Sequence, residues 1–468
     1  MQCLSGLCLG CAVTVQSRHP QIPGGPMSKS LYFSLVLLAA SSALSAQTYT
    51  VLYNFADLSG PKNPGMIAQG RDGAMLSSSH NADSDKAGVA FRIWPNGSFQ
   101  ELPLTEGEAD SGLILATDGQ FYGTTQFGVA ADSGTVFKIS PDGTNTTLHV
   151  FTGGTDGANP VSGPIQSIEG DFYGTTLYGS VYRITKFGAF TLLHTLSSSD
   201  GNPETPLVQG TDYYFYGSTG SGGPYGRGII YRVSRSGRFK VLVNFNGTNG
   251  ATPYSGLVQA NDGNFYGVTY NGGSSNLGVL FRMKPDGTLT VLHSFSGGSD
   301  GSSPVGGIVQ GSDGNLYGTT VGGGKYGSGV IFRASLAGDL VAIHDFDGAT
   351  GGAQLSAIFQ HTNGRLYGAA GGGTFGQGVF YSLDAHLPPF VTYLPTYGRA
   401  GALVQILGQG FTSGSQVLFN GTPAASPVVV YPTYLRVIVP SGATTGPITV
   451  TTATSTLTSN KVFVVHPH

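Results

Sequence analysis

Short apolar stretches, alternating or continuous, run along most of the chain and are separated by Gly, Pro, Asp and Asn. Residues 256–295 show the unit most clearly, because GLVQ, NFYGVT, GVLFRM and TLTVLHSF follow one another there. Runs of about four to eight such residues predict β-strands. Asp-Gly pairs after the first and third runs supply the positive φ that tight hairpins need. The unit therefore predicts four antiparallel strands, which we name a to d in chain order.

This four-strand unit is repeated along the chain. A Tyr-Gly pair marks the copies, at spacings of 43 to 51 residues, with its tyrosine at Tyr122, Tyr173, Tyr216, Tyr266, Tyr317 and Tyr367. A degenerate earlier copy has Leu76 in the tyrosine position, which makes seven copies. Four antiparallel strands repeated at this period are typical of the blades of a β-propeller.

The two ends of the repeat array predict a closed ring. Residues 48–55 read TYTVLYNF and match strand d, whereas the seventh copy stops after its strand c at residues 379–383. We expect the N-terminal strand to complete the last blade, because this closure leaves no open sheet edge. The sequence thus predicts an all-β chain with a seven-bladed β-propeller over residues 47–386.

A different pattern begins at Pro388 and Pro389. About seven short strands with turn signals between them fill the remaining ~80 residues, which is typical of a small β-sandwich. We therefore predict an immunoglobulin-like domain over residues 387–468 and refer to it as the C-terminal module.

The composition agrees with a folded β-protein. Apolar residues make up 40% and aromatic residues 11% of the 468 residues, which argues against disorder. The 75 glycines follow no Gly-X-Y period and do not indicate collagen. A net charge of -3 gives no reason to expect nucleic acid or an anionic membrane as a partner.

Residues 1–46 are interpreted as an upstream extension followed by a signal peptide. Lys29 precedes an apolar run at residues 31–44, and small residues at 41–46 form a cleavage site. We expect translation from Met27 and cleavage near Ala46, although Met1 remains open as the start and a retained membrane anchor is the alternative. The processed chain would be secreted or held in the cell envelope. We expect it to be monomeric, without cysteine and without a stable membrane span.

The repeat motif DGxxYGTT…GxGxVFR…PDGxxTxLHxF, seen at residues 313–320 and 327–333, resembles the Gloeobacter/Verrucomicrobia tandem repeat of exported bacterial proteins. The first copy departs from it at residues 75–77. Residues 401–411 (GALVQILGQGF) and 435–440 (LRVIVP) resemble an IPT/TIG domain. These resemblances imply export, a propeller-like array and a spacer or interaction module, and they imply no known activity.

Two repeated polar positions are predicted to be structural. Histidines in strand d lie too far apart in a propeller to share a metal ion, so we predict half-buried packing for His149, His194, His293 and His344. A basic residue in strand c, such as Arg232, is predicted to bind the Asp-Gly turn between strands a and b.

The candidate binding surface is the face that carries the d–a and b–c connections. These connections include nearly all of the long loops, and loops on a rigid scaffold are where binding usually occurs. We call it the long-loop face and the opposite side the tight-turn face. Its b–c loops carry aromatic candidates for stacking on sugar rings or gripping peptide side chains, with packing between blades as the alternative: Tyr225, Tyr326, Phe375, Tyr270 and Phe127.

A second candidate on this face is a calcium site. Hard oxygen ligands in flexible loops suit Ca²⁺, and adjacent blades would bring together Asp83, Asp85, Glu106, Glu108, Asp110 and Asp132. The segment lacks the EF-hand spacing, so solvated loop charges are the alternative. No other cofactor is expected.

These features favour an exported, non-catalytic binding or adhesion protein with a glycan or protein ligand. One alternative is an extracellular carbohydrate-active enzyme, a lyase or hydrolase, with loop carboxylates such as Asp83 and Glu106 in acid–base roles. The other is a structural protein of the cell envelope. The GGSDG and GGGKYG matches to enzyme motifs lack the helix that those motifs require.

Overall fold

The computed structural model describes residues 47–55, 61–62, 65–81, 88–104, 107, 109, 111–128, 132–352 and 358–466. All of the regular elements in these ranges are β-strands. Across the same ranges, no helix is long and apolar enough to cross a membrane. The all-β prediction is confirmed.

Twenty-nine strands precede the C-terminal module. They are β1 (Thr48–Asn54), β2 (Pro61–Lys62), β3 (Ala68–Gln69), β4 (Met75–Asn81), β5 (Val89–Ile93), β6 (Phe99–Pro103), β7 (Ile114–Leu115), β8 (Phe121–Thr125), β9 (Thr135–Ile139), β10 (Asn145–Val150), β11 (Ile165–Gln166), β12 (Phe172–Thr175), β13 (Ser180–Ile184), β14 (Phe190–Thr195), β15 (Val208–Gln209), β16 (Phe215–Thr219), β17 (Ile229–Val233), β18 (Phe239–Asn244), β19 (Val258–Gln259), β20 (Phe265–Thr269), β21 (Val279–Met283), β22 (Leu289–Ser294), β23 (Ser302–Gln310), β24 (Leu316–Gly322), β25 (Val330–Ala334), β26 (Leu340–Asp345), β27 (Phe359–Gln360), β28 (Leu366–Ala370) and β29 (Val379–Asp384).

These strands form seven blades, as the repeat predicts. Blade 1 contains β2 to β6, and blades 2 to 6 follow with four consecutive strands each. Blade 7 has the order β1-β29-β28-β27, with Thr48 opposite Asp384 and Asn54 opposite Val379. The predicted ring closure is therefore confirmed. Blade 1 differs from the expected four strands, because β2 also pairs with β4.

The Tyr-Gly pair fixes both a blade and its junction with the next blade. The hydroxyl of Tyr216 donates a hydrogen bond of 2.6 Å to Asp212 of its own a–b turn. The ring of Tyr216 packs against Phe265 of the following blade, with 4.1 Å between centroids and 33° between the ring planes. A Cβ on Gly217 would lie 2.5 Å from the hydroxyl of Tyr231 in strand c, so only glycine allows this approach.

Glutamine in strand a joins most blades to the preceding one. Its side-chain oxygen accepts a hydrogen bond of 2.8–3.0 Å from the backbone N–H of the preceding a–b turn, in the pairs Gln166–Thr117, Gln209–Ile168, Gln259–Thr211, Gln310–Asn261, Gln360–Ser312 and Gln69–Thr362. The last pair connects blade 7 to blade 1. Blade 2 has Leu115 at this position, and there the guanidinium of Arg71 donates to the Thr117 carbonyl at 3.3 Å.

Three of the repeated histidines and three of the strand-c arginines have the predicted structural roles. Each of three strand-d histidines stacks on an aromatic ring of the next blade, with centroids 4.0–4.4 Å apart: His149 on Phe190, His194 on Phe239 and His344 on Tyr49. Strand-c arginines form ion pairs with carboxylates in or beside the a–b turn: Arg92 with Asp72, Arg183 with Asp171 and Arg232 with Asp212. Both features hold strands to their neighbours.

The C-terminal module is one curled nine-stranded sheet around its own core. Its strands are β30 (Phe390–Leu394), β31 (Tyr397–Gly398), β32 (Leu403–Leu407), β33 (Gln416–Phe419), β34 (Thr422–Pro423), β35 (Val428–Tyr431), β36 (Tyr434–Ile438), β37 (Gly446–Thr451) and β38 (Thr456–Val465). Strand β30 pairs in parallel with β38 and antiparallel with β32, and so connects the two layers of the predicted sandwich. The buried core includes Val391, Ile406, Val437 and Phe463.

Candidate functional site

A channel with an apolar wall runs through the centre of the propeller. Strand a is innermost and mostly two residues long, shorter than the four residues expected from the sequence. The glutamine of strand a points to the neighbouring blade, and the residue before this glutamine lines the channel. These wall residues are Ala68, Ile114, Ile165, Val208, Val258, Val309 and Phe359.

The channel opens on the long-loop face beside three polar or aromatic side chains, which we call the mouth site. Glu204 and Tyr254 come from the d–a connections that precede β15 and β19, and they line a cavity of about 400 Å³. Tyr270 follows β20 and lies against Tyr254, with ring centroids 5.8 Å apart. Gly220 permits this arrangement, since a Cβ there would lie 2.7 Å from the Tyr254 ring and 3.0 Å from a Glu204 oxygen.

The carboxyl group of Glu204 is the main electrostatic feature of the mouth site. It is half-buried, and this burial raises its pKa above the ordinary value of 4.5. Burial also raises the pKa of Tyr254, with smaller contributions from the charges of Glu204 and Tyr270. No hydrogen bond from another described residue satisfies the Glu204 oxygens, so they can accept hydrogen bonds from a ligand.

The C-terminal module covers the channel at the tight-turn face. It forms hydrogen bonds with a–b turns of several blades: Asn261 Nδ2 to the Asn460 carbonyl (2.8 Å), Thr433 Oγ1 to the Arg71 carbonyl (2.7 Å), Gln409 Nε2 to Thr362 Oγ1 (2.8 Å), and Tyr397 to the Ile168 carbonyl. A second cavity of about 520 Å³ lies between the module and the channel wall. The two ends of the channel therefore have different surroundings.

The sequence model of the Gloeobacter/Verrucomicrobia repeat matches residues 39–224 and 203–424. The chain belongs to this repeat family. The IPT/TIG domain model matches residues 388–465, which places the C-terminal module in that class. A search of curated proteins finds no match.

Several solved structures resemble this member of the repeat family at low sequence identity. A gluconolactonase from Xanthomonas campestris is 12% identical, with 72% of this chain and 89% of that chain covered and a TM-score of 0.40. The PQQ-bound aldose sugar dehydrogenase from Streptomyces coelicolor is 17% identical, with coverages of 72% and 98% and a TM-score of 0.40. PorZ, a surface component of the type-IX secretion system of Porphyromonas gingivalis, is 12% identical, with coverages of 86% and 59% and a TM-score of 0.49.

The aromatic residues predicted from the repeat are exposed but separate. Tyr225, Tyr326 and Phe375 lie on the b–c loops of blades 4, 6 and 7, and 60%, 54% and 56% of their surfaces are exposed. Phe127, on the b–c loop of blade 2, is 37% exposed. Within the described ranges, no ring contact joins these four. Tyr270 is the predicted aromatic that reaches the mouth site, and a binding role for all five remains a prediction.

The predicted calcium ligands are largely outside the described residues. This applies to Asp83, Asp85, Glu106, Glu108 and Asp110, and also to the predicted signal peptide. The carboxylate of Asp132 accepts a hydrogen bond of 2.8 Å from the Gly128 N–H and so closes its own loop. Among the residues that can be described, no three His, Cys, Asp or Glu side chains are arranged to hold a metal ion. The calcium site remains a prediction.

The sequence did contain a signal for the mouth site. Glu204 and Tyr254 occupy the same repeat position, directly after a proline and five residues before the strand-a glutamine. Val161 and Val305 occupy it in two other blades. Comparison of the d–a connections by repeat position would have identified both residues, because a position that lines a channel mouth is free to vary while the blade framework repeats.

Proposed function

We propose that this chain is an exported carbohydrate-binding protein that takes its ligand at the mouth site. The observation that carries this proposal is the half-buried Glu204 carboxylate beside Tyr254 and Tyr270, at the entrance of a cavity of about 400 Å³. Export is supported by the signal-peptide pattern of residues 27–46 and by membership of the repeat family.

Carbohydrate suits the chemistry of this site. The faces of sugar rings carry C–H groups that pack on aromatic side chains, and Tyr254 is 48% exposed at the mouth. Sugar hydroxyls are hydrogen-bond donors, and the Glu204 oxygens are free to accept from them. The combination is expected to hold the end of a glycan chain in one orientation.

A glycan array with the processed chain, residues 47–468, tests the proposal. Tyr254→Ala is expected to weaken binding of the selected glycan about tenfold or more, since stacking and desolvated contact are lost together. The matched control is Phe187→Ala, because Phe187 is 84% exposed in the c–d turn of blade 3 on the tight-turn face. Equal binding by the wild type and both variants would rule out the mouth site.

The same preparation separates the alternative functions. Turnover of a bound glycan that is abolished by Glu204→Gln would assign a carbohydrate-active enzyme instead of a binding protein. Binding that requires Tyr326 but not Tyr254 would move the site to the b–c loops. A folded chain that binds no glycan would contradict the proposal and favour a protein ligand or a structural envelope role.

A further inference from the structure

The cavity between the channel wall and the C-terminal module has a largely apolar lining, in which a lysine is the single charged residue among those described. We call this space of about 520 Å³ the junction cavity. Val258, Val309 and Phe359 line it from the propeller, and Phe390 and Leu407 line it from the module. Its volume lies in the range of about 300–1,000 Å³ that is typical of small-molecule sites.

Lys461 brings a positive charge into this cavity. The backbone around it is fixed, because the Asn460 carbonyl accepts from Asn261 Nδ2 at 2.8 Å and the Lys461 carbonyl accepts from the Tyr393 hydroxyl at 2.7 Å. The Lys461 side chain also lines an adjoining cavity of about 440 Å³ beside the a–b turns of blades 4 and 5. Lys461 therefore lies where the two cavities meet.

No described residue places a counter-charge beside Lys461. Neither cavity is lined by Asp or Glu in the described parts of the chain, and no ion pair or side-chain hydrogen bond of Lys461 is formed there. Lys461 is exposed to solvent, and desolvation by the protein around its ammonium group lowers the pKa of Lys461. An anion that paired with the Lys461 ammonium group would offset this desolvation and stabilise the charged form.

We propose that the junction cavity binds a small amphiphilic monocarboxylate, such as a medium-chain fatty acid, with its carboxylate on the Lys461 ammonium and its aliphatic chain against the channel wall. Charge complementarity selects the head group, and the ring of aliphatic side chains selects the tail. This site is distinct from the mouth site and does not depend on the carbohydrate proposal.

Calorimetric titration of the processed chain with decanoate tests this proposal, with decanol as the uncharged analogue. Lys461→Met is expected to weaken decanoate binding at least tenfold and to leave decanol binding unchanged, because only the head-group contact is removed. The matched control is Lys284→Met, which changes an exposed lysine in the c–d turn of blade 5 and should leave both affinities unchanged. Octanoate should bind more weakly than decanoate by about fourfold for each CH₂ removed.

Three results would overturn the proposal. One is the absence of decanoate binding to the wild type, and another is equal decanoate binding by the wild type and Lys461→Met. The third is binding of inorganic phosphate at Lys461 without decanoate, which would indicate a simple anion site. Lys461→Met should fold, since it changes a solvent-exposed side chain that forms no ion pair with another described residue, and its melting temperature checks this. Tyr254→Ala should not affect decanoate, so failure at one site is distinguishable from failure at the other.

Discussion

At the scale of the residue, the side chain of His361 connects blade 7 to blade 1. It is fully buried, its Nε2–H donates to the Gly73 carbonyl at 3.0 Å, and its Nδ1 accepts from the Asn363 N–H at 3.1 Å. The bond that Nδ1 accepts requires the neutral ring, because both nitrogens of a protonated ring are donors. Burial lowers the pKa of His361 from its ordinary value of 6.5 to about 4. Protonation must therefore disturb this junction.

The buried histidine predicts acid sensitivity of the fold. Between pH 6.5 and 4 the unfolded chain binds more protons at this histidine than the native chain, so its contribution is complete above pH 6.5 and is lost as the pH falls. The shift corresponds to about 3 kcal/mol of unfolding free energy. Urea unfolding at pH 7 and pH 4.5 should show a smaller pH-dependent loss for His361→Gln than for the wild type.

His386→Gln changes an exposed histidine after β29 and is the control for the replacement of a histidine by glutamine as such. His149, His194 and His344 also have pKa values lowered by burial, so part of the acid sensitivity should persist in His361→Gln. Identical pH dependence in the wild type and His361→Gln would show that the ring junction tolerates the charged form.

At the scale of the element, the short strand a depends on its glutamine. A strand of two residues forms few ladder hydrogen bonds within its own blade, and the glutamine side chain adds a hydrogen bond to the preceding blade. The pair of Gln69 and Thr362 is the most buried example, with a second bond of 2.8 Å from Gln69 Nε2 to Thr362 Oγ1. The corresponding pair of Gln259 and Thr211 lies at an exposed turn. The same motif is thus placed in two different environments.

This difference predicts unequal costs for the same substitution. Gln69→Leu should lower the free energy of unfolding by about 1–3 kcal/mol, because the buried Thr362 N–H loses its partner and the Thr362 hydroxyl loses one of its hydrogen bonds. Gln259→Leu should cost less than about 1 kcal/mol, since water can replace the bond. Leucine is tolerated at this position in blade 2, where Leu115 occupies it. Urea unfolding of the two variants measures the difference, and equal costs would contradict this explanation of the motif.

At the scale of the whole molecule, Arg71 connects the propeller to the C-terminal module. Its guanidinium donates to Gln405 and lies over the Tyr434 ring, 4.9 Å from the centroid. It also donates to the Thr117 carbonyl, as described above, so a single side chain joins two a–b turns and the module. We expect the propeller and the module to unfold together because such contacts span the tight-turn face.

Scanning calorimetry tests this coupling. The wild type should show one transition, and Arg71→Ala should separate an earlier transition, lower by at least about 2–4 °C, as the module loses its contacts. Arg238→Ala is the control, because Arg238 is exposed in a c–d turn of blade 4. Two transitions in the wild type would show that the module is only loosely attached.

The sequence by itself determined the blade count, the ring closure and the class of the C-terminal module. Each of these predictions rests on short sequence signals: apolar strands that alternate with a period of two, and Asp-Gly turns between them. Ring closure rests on an extra strand d at the N-terminal end of the array and the missing strand d at the other end. Such signals lie within about 50 residues of one another and need no knowledge of distant contacts.

The tertiary structure alone decided what faces the channel. Glu204, Tyr254 and Tyr270 lie together because adjacent blades place different loops at the same end of the channel. Lys461 lines the junction cavity because the C-terminal module packs on the a–b turns. The contact of Asn261 with Asn460 joins residues 199 positions apart, and the contact of Arg71 with Gln405 joins residues 334 positions apart. The local sequence pattern does not predict these contacts between distant residues. The same strands would form whichever surface of the propeller the C-terminal module covered.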